Sequence, residues 1–133
     1  MFEIDRLDHF VIPCRDVETI CAFYVRVLKM RRIDFGAGRV ALGFGRQKIN
    51  LQPAGWVNTM RAKNHFEGTA DFCLITQTPL DKVMAHLDAE GVALEARPSE
   101  RSGAIGAIQS VYFRDPDGNL VEVSNYPDEV VAD

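Results

Sequence analysis

The chain repeats itself. Near the start of each half an apolar segment carries polar residues at matching places, Leu7-Asp8-His9-Phe10-Val11-Ile12 and Thr69-Ala70-Asp71-Phe72-Cys73-Leu74. Near the end of each half a second segment does the same, Ile49-Asn50-Leu51-Gln52 and Asn119-Leu120-Val121-Glu122. Aligning the halves pairs His9 with Asp71 and Gln52 with Glu122, four side chains able to bind a metal ion. A duplication of this kind restricts the fold to architectures that build one small unit twice. It usually sets two small sheets side by side about a pseudo-twofold axis, with a concave face forming a pocket.

The segments between these anchors follow one order in both halves. A strand at about 5–12 precedes a helix in which Val17, Ile20, Cys21, Tyr24, Val27 and Leu28 share a face and Asp16 is the N-cap. Strands follow near 30–35, 39–45 and 48–52, with turns at Gly36-Ala37-Gly38 and Gly45-Arg46-Gln47. Residues at about 53–68 lack periodicity and read as a linker. The second half opens with a strand near 70–76. Thr78-Pro79-Leu80-Asp81 then starts a helix, with Thr78 as N-cap, and Gly91 lies just past its end. Strands near 92–97, 108–114 and 119–125 complete the order, the last two joined by the turn Asp115-Pro116-Asp117-Gly118. The expectation is an α+β fold of two tandem βαβββ modules forming a curved mixed sheet around a central pocket. Residues 1–133 form one domain, with module 1 at about 1–53, a linker at about 54–68 and module 2 at about 69–127.

Side chains of a strand alternate between its faces. His9 shares a face with Leu7 and Val11, Asp71 with Cys73 and Ile75, Gln52 with Asn50, and Glu122 with Leu120 and Ser124. Val121 and Val123 point the other way, toward the helix. The four polar residues thus lie opposite the helix-packed faces, and the pseudo-symmetry is expected to bring them into one cavity.

Composition narrows the function. The 133 residues carry a net charge of −4 and no basic run, which argues against nucleic-acid or anionic-lipid partners. No apolar run is long enough to span a bilayer. The start Met1-Phe2-Glu3-Ile4-Asp5-Arg6 lacks the pattern of a signal peptide. Cys14, Cys21 and Cys73, an odd number without CxxC spacing, read as reduced thiols of a cytoplasmic protein, with Cys73 a small core residue.

Three stretches resemble recurring segments of the vicinal oxygen chelate superfamily, which includes glyoxalase I, bleomycin-resistance proteins, fosfomycin-resistance transferases and extradiol dioxygenases. They are Leu7-Asp8-His9-Phe10-Val11-Ile12, Phe23-Tyr24-Val25-Arg26-Val27-Leu28 and Phe113-Arg114-Asp115-Pro116-Asp117-Gly118-Asn119-Leu120-Val121-Glu122. More narrowly, Gln47-Lys48-Ile49-Asn50-Leu51 and Arg101-Ser102-Gly103-Ala104-Ile105-Gly106 are similar to the glyoxalase domain-containing protein 5 branch. The resemblance implies a divalent metal at His9, Gln52, Asp71 and Glu122. Glutamine at position 52 fits the glyoxalase I pattern. Asp71 departs from it, since most metal-dependent members have histidine there. One histidine among the four argues against the two-histidine, one-glutamate chemistry of the dioxygenases and fosfomycin enzymes.

One imidazole with carboxamide and carboxylate oxygens suits Mn²⁺, Mg²⁺, Ni²⁺, Co²⁺ or Zn²⁺. Such an ion would act as a Lewis acid on a small carbonyl or diol substrate, with Glu122 as general base. Arg101 is the candidate clamp for an anionic substrate. His65, in the linker, His86, mid-helix, and Trp56 are read first as loop or packing residues. The rival expectation is a non-catalytic protein that sequesters a small molecule, as bleomycin-resistance proteins do. Half-sheet edges that need covering, together with the resemblance, imply a homodimer.

Overall fold

The structure, a computed structural model, describes residues 1–57 and 60–132; Asn58 and Thr59 of the expected linker and the terminal Asp133 lie outside the described residues. The elements run β1 (His9–Cys14), α1 (Val17–Leu28), β2 (Arg31–Phe35), β3 (Arg39–Phe44), β4 (Gln47–Pro53), β5 (Asp71–Ile75), α2 (Leu80–Ala89), β6 (Ser99–Ser102), β7 (Ala107–Arg114) and β8 (Leu120–Asn125), with a short 3-10 turn at Pro127–Glu129. The chain divides into two compact units, Met1–Thr69 and Ala70–Asp133. Each is a βαβββ module with one four-stranded mixed sheet, ordered β1-β4-β3-β2 in the first and β5-β8-β7-β6 in the second. The fold is α+β with two tandem modules, as the repeat implies.

In the first unit, α1 begins where Asp16 accepts hydrogen bonds from the Glu18 N–H and the Thr19 hydroxyl. It ends at Lys29, whose backbone turns left-handed at φ 58°. The helix packs on β3 and β4. Ile20, Tyr24 and Val27 on the helix meet a sheet face made of Ile12, Leu42, Ile49 and Leu51, all buried. Each aliphatic side chain so buried contributes roughly 1.5–3 kcal/mol. Arg32 on β2 ties the sheet to the helix by ion pairs with Glu18 and Asp34.

In the second unit, α2 packs on β7, with Leu87, Val111, Phe113, Val121 and Val123 forming the core. The turn between β7 and β8 is held by the buried Asp115 carboxylate, which accepts from Asp117 N, Asn119 N and Asn119 Nδ2 at 2.9, 3.0 and 2.7 Å. Asn119 Oδ1 in turn accepts from Ala70 N at 2.9 Å and fixes the start of β5.

Three element boundaries differ from the sequence reading. The first strand begins at His9 rather than near residue 5, because its partner β4 begins at Gln47 and pairs Lys48 with His9. Ahead of that point Gln47 Nε2 and Lys48 N reach back, to Leu7 O and Asp8 O. The N-cap of α2 is Pro79, not Thr78, with no side-chain cap. The backbone of Pro79 is itself non-helical, at φ −53° and ψ 139°, so the helix begins one residue later than expected, at Leu80. The strand expected at 92–97 is absent, and β6 lies at Ser99–Ser102, which moves Arg101 from a loop onto a strand. Pro98 lacks a donor and stops a ladder from running through that stretch. The segment touches β7 instead by single bonds, Glu95 N to Tyr112 O and Arg114 Nε to Glu95 Oε1.

Candidate functional site

Each sheet has one face against its helix and one face turned away, and every polar candidate lies on the face turned away. Strand pairing arranges these faces in cross-strand rows. In the first unit the rows are His9-Lys48-Gly43-Arg31, then Val11-Asn50-Ala41-Ile33, and beyond these the pairs Pro13-Gln52 and Arg39-Phe35. In the second they are Asp71-Leu120-Arg114, then Cys73-Glu122-Tyr112, then Ile75-Ser124-Ser110-Ser99.

Matching the rows keeps His9 with Asp71 but changes the other pair. The residue of the first sheet in the row of Glu122 is Asn50, and Gln52 falls in the row of Ser124. The alignment of the two halves by sequence is therefore out by two residues at their far ends. Two rows, about 13 Å of strand, separate His9 from Gln52, whereas one row, about 7 Å, separates Asp71 from Glu122.

Glu122 is the best-organised of the candidates. Its Oε2 accepts a hydrogen bond from Ser110 Oγ at 2.6 Å, and Ser124 Oγ lies 3.4 Å away. Ser110 and Ser124 are themselves 2.6 Å apart and both are fully buried. Cys73 Sγ contacts Ser124 Oγ at 3.3 Å. Across the row, Tyr112 has its phenol pushed above the ordinary range, first by partial desolvation and then by hydrogen bonding to Glu122 and that residue's charge. The Arg101 guanidinium lies 5.4 Å from the centre of the Tyr112 ring. Arg101 pairs with Ile108, one row beyond Ser110, so the two long side chains meet above the serine that fixes Glu122.

Ser110, Ser124 and Tyr112 were not singled out from the sequence. The signal was present: Ser110 and Tyr112 alternate with Val111 and Phe113 along β7, which places them on the face of Glu122. Cys73 is not a core residue. It is exposed, because it stands on the outward face of β5 between Asp71 and Ile75. Desolvation of the sulfur raises its thiol above the ordinary value, with the charge of Glu122 acting in the same direction.

Asp71 is exposed at the start of β5. His9, at the start of β1, is exposed with Nδ1 2.8 Å from Asp8 Oδ2. That contact, the first cause, holds the Asp8 carboxyl below its usual range. In the same sheet the side-chain oxygens of Asn50 and Gln52 are buried without hydrogen-bond partners. His65 packs within the linker, with Nδ1 2.9 Å from Ala62 O and its ring stacked on Phe66. Trp56 is exposed beneath the guanidinium of Arg61, which closes the turn after β4 by donating to Pro53 O and Trp56 O. His86 is half-buried in α2.

The donor set suits a hard or borderline divalent ion. An acceptor oxygen buried without a donor, as at Gln52, is the kind of group that a cation or a ligand hydroxyl satisfies. Among the described residues, no three His, Cys, Asp or Glu side chains stand close enough together to hold such an ion. Among those residues also, no helix is long and apolar enough to cross a membrane.

Comparison with known proteins identifies the family. The sequence profile of the Glyoxalase/Bleomycin resistance protein/Dioxygenase superfamily matches residues 6–123. The chain is 43% identical over 123 residues to virulence protein STM3117 of Salmonella typhimurium, covering 92% of this chain and 85% of that protein. It is 42% identical over 122 residues to glyoxalase domain-containing protein RDO1 of Mycosarcoma maydis, covering 92% and 69%. The solved structure of integron cassette protein VCH_CASS1 from V. cholerae superposes with a TM-score of 0.91 at 49% identity, over 95% of this chain and 98% of that one. Two more distant structures share the fold alone. They are lactoylglutathione lyase from Agrobacterium tumefaciens, with TM-score 0.71, 23% identity and coverage of 92% and 95%, and the antibiotic binding protein TnmS3 from Streptomyces, with 0.72, 22% and coverage of 94% and 98%. The chain belongs to the glyoxalase/bleomycin resistance protein/dioxygenase superfamily.

Proposed function

We propose that this chain is a divalent-metal enzyme of glyoxalase type, acting on a small carbonyl or diol substrate by metal-assisted proton transfer. The observation that carries the reading is the fixed carboxylate of Glu122. A buried serine donates to one of its oxygens, and a tyrosine and an arginine stand beside it on the same open face. A general base needs this combination of a held orientation and access to a substrate carbon. Glu122 takes the proton, and Arg101 orients an anionic group. His9, Gln52, Asp71 and Glu122 are the proposed metal ligands. The metal, when bound, supplies Lewis-acid polarisation of the substrate oxygens. Within the superfamily, the glyoxalase domain-containing protein 5 branch is the proposed placement.

The chain is further proposed to work as a homodimer in the cytoplasm. Each sheet ends in edge strands, β1 and β2 in one and β5 and β6 in the other, and such edges are usually covered. The cysteines are free thiols. Light scattering at micromolar concentration should give twice the 14.9 kDa chain mass; the monomer mass alone would count against the dimer.

A second reading is a protein that sequesters a small molecule without turning it over. Asp71 favours it, as a carboxylate where metal-dependent members usually have histidine. The two readings separate in one experiment. Metal-loaded protein is incubated with small ketones in D₂O, and exchange of carbon-bound protons is followed by NMR. Enzyme chemistry predicts exchange that slows about 10²–10⁴-fold in Glu122→Gln, the range of a general base. Absence of exchange with every ketone would favour sequestration.

A further inference from the structure

We propose that the open face of the first unit holds a binding subsite for a small hydroxy acid, built from Lys48, Arg39, Phe35 and Asn50. Asn50 is only 4% exposed, and its Oδ1 is buried without a partner. An unpaired buried acceptor costs about 1–3 kcal/mol, so the position selects for a ligand that brings an O–H or N–H donor. Val11, its neighbour in the same row, is 40% exposed, so that row remains open to solvent on one side.

The cations beside it are arranged rather than scattered. Lys48 Nζ lies 3.8 Å from the centre of the Phe35 ring and Arg39 Cζ 4.5 Å from it. Lys48 starts in the row before Asn50, and Phe35 belongs to the row after it. The lysine side chain therefore crosses the Asn50 row to reach the ring, over the small Ala41. Arg31 adds a third positive charge. Its Nη2 occupies the space above Gly43, where a Cβ would stand 3.0 Å from it and 2.8 Å from Ile33 Cδ1. Among the described residues, none of Lys48, Arg39 and Arg31 forms an ion pair with a carboxylate; the nearest acidic influence is that between Lys48 and the exposed Asp8. Two cations held on an aromatic face, with an unpaired carboxamide oxygen in the row between theirs, match a ligand with an anionic group a few bonds from a hydroxyl. Carboxylate and phosphate fit the cations alike; the hydroxyl is what Asn50 selects.

The inference depends neither on a bound metal nor on turnover, and its test is run in EDTA. Isotope-labelled full-length protein is titrated with glycerate, with propionate, which lacks the hydroxyls, and with glycerol, which lacks the charge. Glycerate should shift the Asn50 side-chain carboxamide and the Lys48 and Phe35 signals, and bind about tenfold or more tighter than either control. Lys48→Gln should weaken glycerate by about tenfold and leave glycerol unchanged. Asn50→Ala should remove the preference for glycerate over propionate. Equal binding of glycerate and propionate to the wild type would overturn the subsite, as would shifts that miss Asn50. Because Lys48 is a partly exposed strand residue, its variant decides the matter even if Asn50→Ala does not fold.

Discussion

The hydroxyl of Ser110 donates to Glu122 Oε2 at 2.6 Å, from a position with no solvent exposure. The proposed catalytic carboxylate is thus oriented by a fully buried neighbour on its own sheet face. Ser110→Ala removes that donor without changing the ligand. Outer groups that orient a ligand typically contribute 10–100-fold to metal affinity. Calorimetry should show a loss of this size, with the fold retained. An affinity equal to wild type would mean that Glu122 needs no such support.

Gly103 tests how the loop beyond Arg101 is held. Ile105 N donates to Tyr126 Oη at 3.1 Å, and a Cβ at Gly103 would collide with that hydroxyl and stand 2.9 Å from Ile108 Cγ2. Gly103→Ala should destabilise the protein by about 1–3 kcal/mol in urea denaturation, the usual cost of overpacking. Adding Tyr126→Phe should recover part of that loss, because the colliding oxygen is gone; strict additivity of the two changes would refute the contact as the cause.

Cysteine labelling follows from exposure and charge. Cys73 is exposed while Cys14 and Cys21 are buried, so native protein should react with iodoacetamide at one thiol first. Partial desolvation of the sulfur pushes the Cys73 thiol up and the charge of Glu122 pushes it further. The thiolate is the nucleophile, so at neutral pH Cys73 should react more slowly than a free thiol and accelerate as pH rises. Mass spectrometry of native protein across pH 7 to about 9 measures this. Faster labelling at Cys21 would contradict the burial pattern.

Helix α1 rests on its cap. Asp16 Oδ2 accepts from Thr19 Oγ1 at 2.7 Å and Oδ1 from Glu18 N at 3.3 Å. Asp16→Ala should cost about 0.5–2 kcal/mol of stability by urea denaturation, and Asp16→Asn clearly less.

Much of this structure was legible in the sequence, for identifiable reasons. The repeated strand-helix-strand-strand-strand order and the caps at Asp16 and Gly91 are local signals, set by neighbours within a few residues. Faces were legible too, since alternation put His9, Gln52, Asp71 and Glu122 opposite Ile12, Leu51, Phe72 and Val121. Rows were not. Asn50 and Gln52 have the same parity on β4, and only the pairing of Val11 with Asn50, against Cys73 with Glu122, decides which of them matches the glutamate. That register depends on a strand nearly forty residues away in the chain. The position of β6 failed for a similar reason: Val92 and Leu94 alternate as a strand would, but Ser99 is what pairs with Ser110. Cysteine is usually buried, which favours a core position for Cys73, while its parity with Asp71 puts it on the face away from the helix.

The most direct test of the account is metal binding by calorimetry on protein stripped of metal. With Mn²⁺, Ni²⁺ or Zn²⁺ the wild type should show about one site per chain, with binding lost in His9→Ala and in Glu122→Ala and weakened in Asp71→Ala and Gln52→Ala. Binding unchanged in both His9→Ala and Glu122→Ala would contradict the proposed centre.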